Sequence, residues 1–193
     1  MCARCAPLLP LCPSQTFIGD PSDALARAIS ARDDVGASVA QLSAWKRELF
    51  LASDRSPEIY PGVVEAVSAI CGSGTPTALC TGSTIAATRA LLAGTPLDAL
   101  LPPAVRTTRD HCVEQKPKAA PYTRSCALVH RAPRECVCFE DSPAGLRSAT
   151  AAGIGHRLGI TTSWARQQLL EAGATAVFGS FEEAAKWAVM TLL

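Results

Sequence analysis

Glu135-Cys136-Val137-Cys138-Phe139-Glu140-Asp141-Ser142-Pro143-Ala144-Gly145 reads as a short apolar strand that ends in two adjacent carboxylates and turns at once into a helix. Ser142 suits the N-cap, where its hydroxyl can take a free backbone N–H, and Pro143 suits the first helical position, where no donor is needed. The turn is therefore sharp and the start of the helix is set locally. In open α/β sheets ligands collect outside the carboxyl ends of the strands. Paired acids at such a point are a candidate seat for Mg²⁺, a hard cation that takes carboxylate and phosphate oxygens. Glu140 and Asp141 also have a purely structural explanation, because the positive end of a helix favours nearby acids whether or not anything binds.

From residue 61 onward, strand and helix patterns alternate, the signature of a parallel sheet with helices on both faces. The pattern predicts strands over 75–81, near 99–105, and over 135–140, 153–160 and 176–178. Helices are expected over 62–71, 85–93, 119–129, 143–152, 164–172 and 181–192. One βα unit per roughly 30 residues suits a Rossmann-like topology.

Before residue 61 only helical periodicity is present. Leu25, Ala28 and Ile29 share one face of a helix starting near Pro21 or Ser22, and Leu42, Trp45 and Leu49 share a face of a second. Two amphipathic helices without a strand look like a small helical cap, and Trp45 with its apolar neighbours is read as packing. The expected organisation is an undefined N-terminal segment over 1–14, a partial helical cap over 15–56 and a Rossmann-like core over 57–193.

At 193 residues the chain can bury one core with room for a lid. The formal charge of +1 without a basic stripe points away from nucleic acid. No apolar run reaches the roughly 18 residues that would span a bilayer. Nine cysteines, odd in number and partly inside apolar segments (Cys80, Cys136, Cys138), read as buried free thiols in a reducing compartment rather than a disulfide framework. Cys2 and Cys5 form a CxxC, but without a second pair, and with His111, His130 and His156 scattered, zinc is not expected. The first 13 residues carry Arg4 and no acid, a faint likeness to an organellar presequence that three prolines interrupt; cytoplasm is the default location.

Two further strand ends or loops carry suitable chemistry. Thr81-Gly82-Ser83 closes a strand with hydroxyls and a glycine ahead of a helix whose free N–H groups favour an anion. Lys116 sits before Pro117, which keeps it out of helical conformation. An ammonium about 4 Å from a phosphate oxygen gains roughly 4 kcal/mol at an effective dielectric of about 20, before desolvation is subtracted. The structural alternatives are an ion pair of Lys116 with Asp141 and a strand-end cap by Thr81. With Glu140 and Asp141 these groups fit phosphoryl chemistry, which rests on positioning and charge neutralisation.

Over 17–183 the sequence resembles the haloacid dehalogenase superfamily, especially its phosphatase and β-phosphoglucomutase-like branch with a helical cap. Ile18-Gly19 through Ile29 is similar to a cap helix of that family, and Tyr60-Pro61-Gly62-Val63 to its strand entry. Thr81-Gly82-Ser83 matches the second motif, Lys116-Pro117 the third, and Phe139-Glu140-Asp141-Ser142-Pro143-Ala144-Gly145 the fourth and most specific. Ala151-Ala152-Gly153, Gly159-Ile160-Thr161-Thr162-Ser163 and Leu170-Glu171-Ala172-Gly173-Ala174 fit the closing strands. The resemblance implies that Thr81, with Gly82 and Ser83, binds the phosphoryl oxygens of a small phosphorylated metabolite. It also implies that Lys116 neutralises charge there and that Asp141 with Glu140 holds Mg²⁺. A cap would close over the substrate and select it.

The family's first motif, an Asp-x-Asp-Gly-Thr box supplying the nucleophile, is not found. Asp20 and Asp23, or Asp33 and Asp34, lack its spacing and follow no β run. That box lies on a central strand, so its loss should leave backbone groups exposed on both neighbouring strands; Ala6 to Cys12, carrying Pro7 and Pro10, is poor material to replace it. Without the carboxylate no aspartyl intermediate forms. Removing a nucleophile in another enzyme costs on the order of 10⁶ in kcat, so little or no turnover is expected. Gln115 in place of a Gly and Ala120 in place of an Asp are smaller departures. Two readings follow: a shortened member of a phosphatase lineage, or a non-catalytic protein that binds a phosphorylated ligand or a partner. A third, an unstable product without function, would show as non-cooperative unfolding.

Overall fold

In the computed structural model, residues 24–32, 36–52 and 58–192 are described. Helices α1 (Ala24–Ser30) and α2 (Val39–Leu51) come first and pack on each other, within the stretch expected to be helical. There follow α3 (Val63–Gly72), β1 (Leu79–Cys80), α4 (Ile85–Leu92), α5 (Pro96–Leu100) and β2 (Arg106–Thr107). The chain then runs through α6 (Ala120–Leu128), β3 (Val137–Glu140), α7 (Pro143–Ala151), β4 (His156–Ile160), α8 (Arg166–Glu171), β5 (Ala176–Phe178) and α9 (Phe181–Leu192). This is the expected α/β alternation, with most element ends within a residue or two of those read from the sequence.

The strands form two parallel sheets, β1–β2 and β3–β4–β5. In the larger, Val137 lies opposite His156, Glu140 opposite Gly159, and Ile160 opposite Phe178. Alternation along β3 sends Cys138 to one face, where it packs with Tyr122, Cys126, Ala149 and Ile154, and Val137 and Phe139 to the other, against α9. Leu158 and Ile160 meet Ala184 and Ala188 of α9, while Leu146, Leu169 and Val177 join α7 and α8 to the sheet. Leu146, Leu158 and Leu169 are fully buried, so this is where the core lies.

No ladder joins β1 to β3 among the described residues. The His156 N–H donates to the Cys136 carbonyl and the Thr81 N–H to the Thr107 carbonyl. By alternation, the backbone groups of Val137 and Phe139 point away from β4, and those of Cys80 away from β2. Among the described residues the strands thus form two pieces, with β1 and β3 each lacking a ladder partner on one side. Ala6 to Cys12, the only upstream stretch considered as a filler, lies outside the described residues.

Three sequence expectations need correction. The strand expected near 99–105 is instead helix α5, then a 3₁₀ turn at Pro103–Val105, with the strand displaced to Arg106–Thr107. Pro102 and Pro103 offer no ladder donors. Arg106, too polar to suggest a strand, is buried there because its guanidinium donates to the Leu101 carbonyl at 2.5 Å and to the Asp98 carboxylate at 2.6 Å. The expected strand over 75–81 shrinks to two residues behind Pro76 for the same lack of a donor. Trp45 and Leu49 are not packing residues: they are 51% and 73% exposed and line an open depression with Glu48 and Ala52.

Candidate active site

Each candidate side chain is delivered by a strand end or by the loop that follows one. Ser142 caps α7 as expected, its Oγ accepting from the Gly145 N–H at 3.1 Å, with Pro143 in the first turn. The same hydroxyl donates to Glu140 Oε2 at 3.2 Å. Glu140, at the end of β3 and 7% exposed, also accepts from the Tyr122 hydroxyl at 2.7 Å on Oε1, and its Oε1 is in contact with Lys116 Nζ. Gly145 is required by this packing, since a Cβ there would overlap the Glu140 carboxylate.

Lys116 reaches across the gap between the sheets. Its ammonium donates to the Cys80 carbonyl at 3.2 Å, on the side of β1 that faces away from β2, and pairs with Glu140 at the end of β3. It also stands 5.1 Å from the centre of the Tyr122 ring, within cation–π range. The ion pair considered from sequence therefore exists, but with Glu140 rather than Asp141. An ammonium has three donors; one is left without a partner among the described residues. Burial is the largest single influence on the Lys116 pKa and lowers it, but the Glu140 charge and hydrogen bond, together with the Cys80 and Cys138 sulfurs, outweigh it and hold the group above its usual value. Burial, reinforced by Glu140, pushes the Tyr122 phenol well above its ordinary range.

Asp141 points elsewhere. It is exposed, and its Oδ2 accepts from the Thr162 hydroxyl at 3.1 Å, just beyond β4. Loss of water around the carboxyl raises its pKa, the Glu140 charge adds to that, and the Thr162 hydrogen bond opposes it. Of the two expected metal ligands, Asp141 keeps open oxygen lone pairs, whereas both Glu140 oxygens are engaged inside the protein. No cluster of three or more His, Cys, Asp or Glu side chains suited to a metal occurs among the described residues. A Mg²⁺ held by one carboxylate, waters and substrate phosphate fits this arrangement; one chelated by Glu140 and Asp141 together does not.

On the β1 side, Thr81 Oγ1 accepts from the Ser83 N–H at 3.1 Å, the strand-end cap foreseen as its structural role, while its own proton has no acceptor among the described residues. No described residue lies within 4 Å of where a Cβ on Gly82 would stand, so among the described residues the space in front of that backbone is open. The helix that follows is not the free anion site expected. The Ile85 N–H donates to Asp110 Oδ2 at 2.6 Å and the Ala87 N–H to its N-cap, Thr84, at 3.2 Å. A carboxylate of the chain already holds the positive end of α4. The loop carrying Asp110 is bound to the Thr81–Ser83 turn through the Arg109 N–H and Ser83 carbonyl at 2.9 Å, and Gln115 Nε2 closes it on the Arg109 carbonyl at 3.0 Å.

Sequence reasoning missed Tyr122, Thr162 and Asp110 as parts of the site. Tyr122 stands one helical turn before the core residues Ser125 and Cys126, a spacing that marks it as inward-facing. Thr162 lies in the hydroxyl run ending β4. Asp110 carried no signal, because its helix partner is distant in sequence. The nucleophile candidates Asp20, Asp23, Asp33 and Asp34 all lie outside the described residues.

The family model of haloacid dehalogenase-like hydrolases matches residues 18–153. This chain belongs to that family. Among curated proteins it is similar to hexitol phosphatase A of Escherichia coli, with 35% identity over 95 residues, 48% of this chain and 42% of that protein. It is also similar to protein CbbY of Rhodobacter capsulatus, 32% identical over 123 residues, 61% of this chain and 53% of the other. The matches thus span about half the length of those relatives. Among solved structures, CbbY of Rhodobacter sphaeroides in complex with xylulose-(1,5)bisphosphate superposes with a TM-score of 0.74 at 23% identity, covering 88% of this chain and 78% of that one. A provisional β-phosphoglucomutase from Thermotoga maritima gives 0.69 at 24%, covering 93% and 82%. These likenesses establish the fold of the haloacid dehalogenase-like chain. Members of the family generally use Mg²⁺.

Proposed function

We propose that this haloacid dehalogenase-like chain binds the phosphoryl group of a small phosphorylated metabolite, of the sugar-phosphate class, between the ends of β1 and β3. The observation that carries the reading is Lys116, whose ammonium links the Cys80 carbonyl to Glu140 and keeps one donor for an anion. Thr81 would donate its hydroxyl proton to a phosphoryl oxygen, with the open backbone at Gly82, and Ser83 beside it, completing the cradle. Asp141 would hold Mg²⁺, which, when bound, would neutralise phosphoryl charge. Glu140 positions Lys116 instead of binding metal. The helical pair α1–α2 would serve as the cap that selects the substrate. The name of one curated relative, hexitol phosphatase A, agrees with this ligand class.

Turnover is expected to be slight or nil, because the sequence offers no recognised nucleophile box. The test is titration of the full chain with inorganic phosphate and then with a hexose phosphate, with and without Mg²⁺, followed by ³¹P NMR. Saturable binding should vanish in Lys116→Ala and weaken in Thr81→Ala, without release of phosphate. Absence of binding by the folded wild-type protein would refute the proposal. Mg²⁺-dependent hydrolysis of p-nitrophenyl phosphate that disappears in Asp20→Asn or Asp23→Asn would establish an active hydrolase in its place.

A further inference from the structure

Four cysteines meet in one core cluster beside Tyr122. Cys126 and Cys138 are buried in it, and Cys80 and Cys136 are half-buried at its margin. One pair is in thiol contact: Cys126 Sγ, in the last turn of α6, stands 3.7 Å from Cys136 Sγ, just ahead of β3. The Cys126 thiol donates to the Cys136 sulfur, which in turn is 3.4 Å from the Ala132 carbonyl it can donate to. The two sulfurs therefore face each other across the turn through His130, whose φ of 53° folds the chain back. A disulfide needs about 2.05 Å between sulfurs, so closure asks for a shift of under about 2 Å at a turn, not a rearrangement of the core.

We propose that Cys126 and Cys136 are a peroxide-sensitive dithiol that closes to a disulfide in the folded protein. Exposure assigns the roles. Cys136 is half-buried and can be reached by hydrogen peroxide, while Cys126 is 5% exposed. Burial and the hydrogen bond with Cys136 push the Cys126 thiol up to about 12, so it stays protonated and is the resolving partner. In the first step the Cys136 thiolate attacks one peroxide oxygen. The S–O bond forms, the O–O bond breaks, and the departing hydroxide is protonated to water, leaving a sulfenic acid. In the second, the Cys126 sulfur attacks the sulfenic sulfur. The S–S bond forms, the S–O bond breaks, and the hydroxyl leaves with the Cys126 proton as water. Two thiols are oxidised by two electrons and one peroxide is reduced to two waters. The closed bridge ties α6, which carries Tyr122, to β3, which carries Glu140.

The test treats the folded full chain with hydrogen peroxide, blocks remaining thiols, and maps tryptic peptides without reduction. Peptide 125–131 should be joined to 135–147 through Cys126 and Cys136. The thiol titre should fall by two from nine and recover with dithiothreitol. The link should persist in Cys80→Ser and Cys138→Ser and disappear in Cys136→Ser, while Cys126→Ser should leave a Cys136 sulfenic acid trapped by dimedone. Because 135–147 carries both Cys136 and Cys138, fragmentation of the wild-type linked pair assigns the bridge to Cys136, and that assignment stands without any variant. A dominant link through Cys80 or Cys138, or a Cys126–Cys136 link that forms only in denaturant, would overturn the proposal.

Discussion

The two sheets are built to different standards. β3–β4–β5 has helices on both faces and the fully buried Leu146, Leu158 and Leu169 around it. β1–β2 is two residues per strand, with Leu79 and Cys80 only half-buried and its second strand anchored by the guanidinium of Arg106. Each contributes one wall of the candidate site, Thr81 to Ser83 from the small sheet and Glu140 and Asp141 from the large one. Among the described residues, what joins them at the site is a side chain, Lys116, not a ladder. The comparison teaches that, among the described residues, a buried ion pair links the two walls where a continuous ladder would have supplied backbone hydrogen bonds.

The sharpest way to break that comparison is Lys116→Met. Removing one partner of a buried pair leaves Glu140 uncompensated, and urea unfolding should show a loss of about 3–5 kcal/mol. A loss below about 1 kcal/mol would mean the walls are held by something else. Next, Leu158→Ala should cost about 2–5 kcal/mol, as full burial of that side chain implies. Leu79→Ala in the small sheet should cost distinctly less, and equal losses would erase the distinction between the sheets. Ser142→Ala removes both the α7 cap and a hydrogen bond to Glu140, for about 1–2 kcal/mol in the same assay.

The smallest expected effect is in alkali. Both Lys116 and Tyr122 have folded-state pKa values raised above their ordinary ones, so the unfolded chain loses these protons first. Their contribution is intact below a pH of about 10 and falls away as pH rises through the folded values. The urea midpoint should therefore drop above that point, and less so in Tyr122→Phe. A midpoint rising with pH there would contradict the ion-pair assignment.

Much of the site was legible because local chemistry dictates it. Ser142 and Pro143 can do little else than open a helix, and Lys116 before a proline is kept in a loop. The roles at the next level were not legible. Glu140 and Asp141 are adjacent and chemically alike, yet alternation on the strand and the turn after it turn one inward to Lys116 and Tyr122 and the other out to Thr162. The anion expected at the start of α4 turned out to be Asp110 of this chain, 25 residues from the amide it meets.

Sequence alone determined where strands turn into helices and which residues gather at the strand ends, because caps, prolines and apolar periodicity act over a few neighbours. Tertiary structure decided that β1–β2 and β3–β4–β5 stand as separate ladders among the described residues, that Lys116 spans between them, and that Asp141 rather than Glu140 faces outward. Those outcomes depend on which groups meet across long stretches of chain and which of them lose water when they do, and no local pattern records that.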